Sequence, residues 1–294
     1  MKTMAQSNKL SFDKKRSRFS EIFRRLKKDR AAIISLVIII LLILVAIFAE
    51  KIAPYPYDLQ DYSNSFAKPS REHLLGCDQL GRDILSRLIY GSRQSLQLGV
   101  LATAIASLIG IILGSIAGYY GGWVDTVIMR LLDIYQSIPM FLLCVTLAAV
   151  MGPSLKNAVL AIGIAQVPMP ARLTRASILT IRGQEYIEAS RAINVGNFRA
   201  IMTHILPNAI APVIVSITMS IGLNILSGAS LSFIGLGAQP PIPEWGSMVS
   251  DARQLMRDHS TLALYPGICI MITVLSFNLL GDGLRDALDP RLKN

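Results

Sequence analysis

Residues 31–49 read AAIISLVIIILLILVAIFA, a run without a charge in which Ser35 is the only polar side chain. As an α-helix at 1.5 Å per residue this run reaches about 28 Å, close to the thickness of a bilayer's hydrocarbon core. It predicts a membrane span. A cleavable signal would have an apolar region of about 7–15 residues and a small-residue cleavage site. Here Glu50-Lys51-Ile52-Ala53-Pro54 follows, which predicts an uncleaved anchor.

Around this run the whole chain reads as a membrane protein. Of its 294 residues 52% are hydrophobic and 16% charged, with a mean hydropathy of +0.48. An average soluble domain carries about 25% charge. The balance excludes an ordinary soluble enzyme and makes the span, rather than the soluble domain of ~150 residues, the unit of organisation.

Further stretches free of charge lie at 94–124, 134–155, between Arg199 and Glu244, and at 261–281. A weaker one at 158–171 ends at Pro168 and Pro170. Counting it, the expectation is an all-α membrane protein with six transmembrane helices. Lys and Arg crowd the first thirty residues, opposed only by Asp13, Glu21 and Asp29. With six spans, 20 of the 29 basic residues fall on the side of the termini and 9 on the other. The positive-inside rule then places both termini in the cytoplasm. The same rule favours a topogenic role for the basic tail over nucleic-acid binding. The expected organisation is a basic tail (1–30), a first span (31–49), an external segment (50–93), a five-helix core (94–281) and a cytoplasmic tail (282–294). The core carries a cytoplasmic loop at 172–207 and an external loop at 232–260.

In the second span Gly110, Gly114 and Gly118 repeat at four-residue intervals on one helical face. Lipid gives helices no hydrophobic reason to associate, so bare backbone on one face predicts close helix packing. Arg130 and Asp133, three apart at the start of the third span, can form a charge pair on one face. Such a pair is a candidate for ion coupling, although no span carries a lone acid at its centre. Outside, residues 83–89 have helical periodicity, and Pro240-Pro241-Ile242-Pro243 predicts a rigid turn before an amphipathic helix with Trp245 as an interfacial aromatic.

The loop at 172–207 is the most informative stretch. Gly183 precedes a helix-forming run with Glu185 and Glu188 near its start, as the helix dipole favours. Asn194-Val195-Gly196 supplies residues that tolerate left-handed backbone, Asn197 can cap a second helix, and Pro207 is expected to end it. The expectation is two short angled helices, with Ala189 and Ser190 leaving one face smooth for docking.

No motif for catalysis is present. There is no phosphate-binding Gly-rich loop, and His73, His204 and His259 are too far apart to suggest a metal site. Cys144 and Cys269 fall in apolar stretches and Cys77 in a polar one, which excludes a disulfide framework. No cofactor is expected, and a nucleotide driving transport would have to bind another chain.

These residues resemble the integral-membrane permease subunits of bacterial ABC importers, more narrowly the second permease of the dipeptide, oligopeptide, glutathione and nickel group. The family's signature is Glu-Ala-Ala, three residues, Gly, nine residues, then an apolar residue, any residue and Leu-Pro. Here it reads Glu188-Ala189-Ser190, Asn194 and His204-Ile205-Leu206-Pro207. Ser190, Asn194 and His204 depart from it. Residues 75–87 (with Cys77 where Thr or Val is usual), 231–246 and 278–290 are similar to the subgroup as well.

The resemblance implies a type I importer fold in a bacterial inner membrane and no enzymatic activity in this chain. It implies a coupling helix seated on an ATPase, with Glu185, Glu188, Ala189, Ser190, Asn194, Gly196 and Pro207 forming that site. It also implies as partners a homologous second permease, two ATPase subunits, an extracytoplasmic substrate-binding protein and membrane lipid. The competing reading from the residues alone is an ion-gradient-driven secondary transporter using Arg130 and Asp133.

Overall fold

A computed structural model describes residues 24–192 and 195–288, the side chains of 189–192 excepted. Every regular element among them is helical, apart from an isolated bridge between Cys77 and Asp83. Helix α1 (Arg30–Ile47) starts where Asp29 Oδ1 accepts from the Ala31 and Ala32 amides, at 2.8 and 3.2 Å. That carboxylate satisfies amides which the first helical turn leaves unpaired.

Helix α2 (Ile84–Tyr120) has 37 residues, about 55 Å by helical rise and so well beyond a hydrocarbon core. It begins ten residues before the charge-free stretch, because Asp83 caps it through the Ser86 amide at 2.8 Å. The segment expected over 50–93 therefore gives its last ten residues to this helix. Gly121, at φ +66°, ends it.

The expected third span over 134–155 is not one helix. Helix α3 (Gly122–Gln136) and helix α4 (Met140–Met151) meet at 79°. Pro139 lies at the corner; it lacks an N–H, and its ring steers Ile138 away from helical geometry. Helix α5 (Leu155–Ala165) follows Gly152, at φ +88°, and a cap from Ser154 to the Asn157 amide.

Pro168 and Pro170 do not stop the fourth segment. They open helix α6 (Pro168–Ile181), in whose first turn a missing N–H costs nothing. Likewise Pro207 does not end a short helix. Helix α7 (Glu185–Ala192) stands alone, whereas Asn197 begins the long helix α8 (Asn197–Phe233). The stretch Ala200–Ile205 within α8 is π-helical, the Leu206 amide reaching back to the Ile201 carbonyl. The widened turn relieves the clash between the Pro207 ring and the preceding turn, and Asn208 Nδ2 donates to the His204 carbonyl at 2.7 Å. Helix α9 (Trp245–Ala252) and helix α10 (Thr261–Leu288) complete the described residues.

Among the described residues four helices, α1, α2, α8 and α10, are long and apolar enough to cross a membrane, and the bent pair α3–α4, taken as one span, makes a fifth. Helix α2 is central, packing on α6, α8, α5 and α1, while α10 packs on α8 and α1. One core joins Leu98, Cys144, Ile162 and Leu231 from four helices. A second joins Ile39, Leu96, Ile225 and Phe277. Large apolar side chains stay outside, among them Val150 at 83% and Ile134 at 69% exposure, as expected of a surface meeting lipid or other helices rather than water.

Candidate coupling site

At one end of α2 the chain folds α7 against the ends of three long helices. Ile187 is fully buried in a cluster with Tyr119, Ile178, Ala200, Ile205 and Ala209. Burying an isoleucine stabilises by about 1.5–3 kcal/mol, enough to hold a helix too short to persist alone in water. Glu185, Tyr186 and Glu188 point outward and are exposed. Both acids lie in the first turn, where the dipole favours them.

Ala189 and Ser190 belong to α7, but their side chains lie outside the description, and Asn194 lies outside the described residues altogether. Gly196 immediately precedes α8 with an extended backbone. Asn197 does not cap α8: it is the first helical residue, and its Oδ1 accepts from the Tyr119 hydroxyl at 2.9 Å. Pro207 lies ten residues beyond Asn197 in α8 and is exposed, between Ile205 and Ala209 of the cluster around Ile187.

Gly110, Gly114 and Gly118 all face α6. A Cβ on Gly110 would lie 2.6 Å from Pro170 Cγ, on Gly114 2.3 Å from the Ala171 carbonyl oxygen, and on Gly118 2.9 Å from Ile178 Cβ. This contact passes down α2 to the α7 corner, since Ile178 also touches the cluster around Ile187. At the same end Arg182 donates to the Gly118 carbonyl at 3.2 Å.

Arg130 and Asp133 lie on α3, ahead of the bend. Arg130 Nη1 is 3.9 Å from Asp133 and strongly exposed, whereas Arg172 Nη2 donates to Asp133 Oδ1 at 2.7 Å. The carboxylate thus ties α3 to α6. Arg175 reinforces the tie, donating from Nε and Nη2 to both oxygens of Asp125, the second at 2.6 Å. Neither pairing was visible from local spacing.

Sequence reasoning also missed a buried polar chain. Gln166, at the α5–α6 junction, donates to Asn224 Oδ1, and Asn224 Nδ2 donates to Thr103 Oγ1 at 2.8 Å. All three are buried. Polar side chains inside charge-free stretches were the available signal, because in hydrocarbon they must find partners within the bundle.

At the far end of α2, Trp245 is not an interfacial aromatic. It is 1% exposed, its Nε1 donates to the Leu88 carbonyl at 3.0 Å, and its ring lies against Gly91. Beside it Glu244, equally buried, accepts from Ser95 Oγ and from the Gly246 and Ser247 amides, each at 2.9 Å.

The described residues thus form a helical bundle with a short helix docked at one end. Residues 110–294 match the family of binding-protein-dependent transport system inner membrane components, and residues 17–69 match the N-terminal transmembrane domain of oligopeptide transport permease C. The chain is 48% identical over 278 residues to the dipeptide transport system permease protein of Alkalihalophilus pseudofirmus, covering 95% of this chain and 91% of that one. It is 42% identical over 280 residues to the glutathione transport system permease protein of Pectobacterium atrosepticum, covering 95% and 93%. An inward-facing structure of the MetNI methionine ABC transporter shares the fold, with a TM-score of 0.58 at 19% identity over 70% of this chain and 98% of that one. The chain belongs to the binding-protein-dependent transport permeases. It is a permease subunit of an ABC importer and not itself an enzyme.

Proposed function

We propose that this chain forms half of the translocation pathway of an importer for dipeptides, oligopeptides or related small solutes such as glutathione, in a bacterial plasma membrane. The nearby relatives named above support that range of cargo. In this reading it crosses the membrane six times: α1, α2, the bent α3–α4, the joined α5–α6, α8 and α10. Both termini are cytoplasmic, as the basic tail favours. A homologous second permease completes the pathway, two ATPase subunits bind below, and a substrate-binding protein delivers cargo from outside.

The observation that carries the coupling role is the α7 corner. Ile187 anchors the helix to α2, α6 and α8 while Glu185, Tyr186 and Glu188 face outward. A push on α7 is therefore delivered to three helices at once, which suits rigid tilting of the bundle in alternating access. In this reading Glu188 supplies the charged contact; Ala189 and Ser190, whose side chains lie outside the description, and Asn194, outside the described residues, belong to the expected docking site.

The test is to express Glu188→Lys and Ala189→Asp beside the wild type. Both variants should insert normally, yet lose uptake and fail to retain the ATPase on purification in mild detergent. Normal uptake by both would overturn the coupling role.

A further inference from the structure

At the end of the bundle opposite α7, a cavity of about 220 Å³ opens between the start of α2, the loop after α8, and α9. Its volume is below the range of drug-sized pockets, about 300–1,000 Å³, so an occupant must be small. Arg82 and Arg87 line it although they are only 6% and 4% exposed. Arg87 is engaged, donating to the Tyr57 carbonyl at 3.2 Å and the Pro241 carbonyl at 3.5 Å. Arg82 is engaged only in part: Nε meets Asp78 Oδ2 at 2.7 Å, and its η nitrogens have no partner among the described residues.

Two more groups in the wall lack partners. Ser232, 3% exposed, has a buried hydroxyl without a hydrogen bond. Asp251 has neither an ion pair nor a side-chain hydrogen bond among the described residues. Enough protein surrounds its carboxyl that desolvation pushes it above the ordinary carboxylate range, despite Arg87 and Arg82 nearby. One small cavity therefore holds an open guanidinium, an open hydroxyl and an open carboxylate, with the opposite charges not in contact. Unmet buried polar groups are costly, which applies to Arg82 and Ser232, while Asp251 lies exposed at the rim of the cavity; a ligand carrying both signs would satisfy all three.

We propose that this cavity binds a small zwitterion, its anionic oxygens on Arg82 and Ser232 and its ammonium on Asp251. Arginine suits an anionic oxygen pair because it offers parallel donors, and an ammonium favours the ionised Asp251. Two sources share this chemistry, a free amino acid or short peptide and the headgroup of an ethanolamine lipid. The site stands apart from the coupling corner, at the other end of α2.

The test is isothermal titration of the full chain, purified in detergent without ethanolamine lipid. The probes are dialanine, glycerophosphoethanolamine, N-acetyl-dialanine, which lacks the ammonium, and dialaninamide, which lacks the carboxylate. At least one zwitterion should bind, and the tighter of the two assigns the source. Removing either charge from dialanine should weaken binding by about tenfold or more. Asp251→Asn, a change at an exposed side chain, should weaken the zwitterion by a similar factor and leave N-acetyl-dialanine unchanged. Ser232→Ala should weaken both. No binding by either zwitterion, equal binding by all probes, or wild-type affinity in Asp251→Asn would each overturn the proposal. Because the titration uses the chain without an ATPase, failure of the coupling reading leaves its outcome unaffected.

Discussion

The Tyr119 hydroxyl donates to Asn197 Oδ1 at 2.9 Å, tying the last turn of α2 to the first residue of α8 across 78 positions of sequence. The bond closes the α7 corner beside the apolar cluster that holds Tyr119 and Ile187 together. A single hydrogen bond of this kind contributes about 0.5–1.5 kcal/mol. Tyr119→Phe should therefore leave insertion and thermal stability nearly unchanged while loosening the corner. The expected result is a lower uptake rate for each ATP hydrolysed by the assembled importer. Unchanged coupling would show that the corner is held by apolar packing alone.

Gly114 is the tightest of the three glycine contacts, with the Ala171 carbonyl oxygen 2.3 Å from a built Cβ. Gly114→Val must push α6 away, and overpacking of this kind costs about 1–3 kcal/mol. A lower melting temperature in detergent checks it. Gly267→Ala in α10 is the matched control, because nothing lies within 4 Å of its built Cβ. That change should be neutral or mildly stabilising.

Asp133 distinguishes two mechanisms. Paired with Arg172 at an exposed site, it contributes at most about 1 kcal/mol, so Asp133→Asn should retain ATP-dependent uptake. A secondary transporter would lose uptake in this variant and keep it in the wild type after ATP depletion at constant membrane potential.

Cys77 is 2% exposed, and burial together with Asp83 and Asp78 pushes its thiol up to about 11 from an ordinary value of 9.0. Since only the thiolate reacts, native Cys77 should be modified by maleimide at neutral pH far more slowly than in the denatured chain. Peptide mass spectrometry reads the rate site by site. The same shift favours the unfolded chain as pH climbs above about 9, where the unfolded thiol ionises before the folded one does. Equal native and denatured labelling would contradict the burial.

The charge-free stretches were legible because lipid imposes one simple constraint, and α1, α2, α8 and α10 follow it. Breaks were harder to read. Pro168 and Pro170 look like terminators, yet a proline in a helix's first turn is at no disadvantage. Pro139 attracted no notice and marks the 79° corner. Trp245 was assigned to an interface from its neighbours alone, whereas its burial depends on Gly91 and Leu88 of α2. The same holds for Asp133: local spacing offers Arg130, and only the packing of α3 on α6 brings Arg172 closer. At the α7 corner the outward acids could be read from the helix pattern, but Ile187 as anchor and Tyr119 as tether required the tertiary arrangement.

The wide turn at Ala200–Ile205 has a bearing on how such a corner can change. A π turn takes up about one residue more than an α turn, and each residue advances a helix by about 100°. The part of α8 on the α7 side of Ala200 is thus indexed about one position out of step with the membrane part. Deleting a single residue there should restore regular winding and leave the flanking turns in register, so that Asn197 keeps its bearing, whereas a deletion elsewhere in the spanning part of α8 would rotate everything on its α7 side by about 100°. The stretch acts as a slip joint that absorbs a difference of one residue without re-aiming the docking helix.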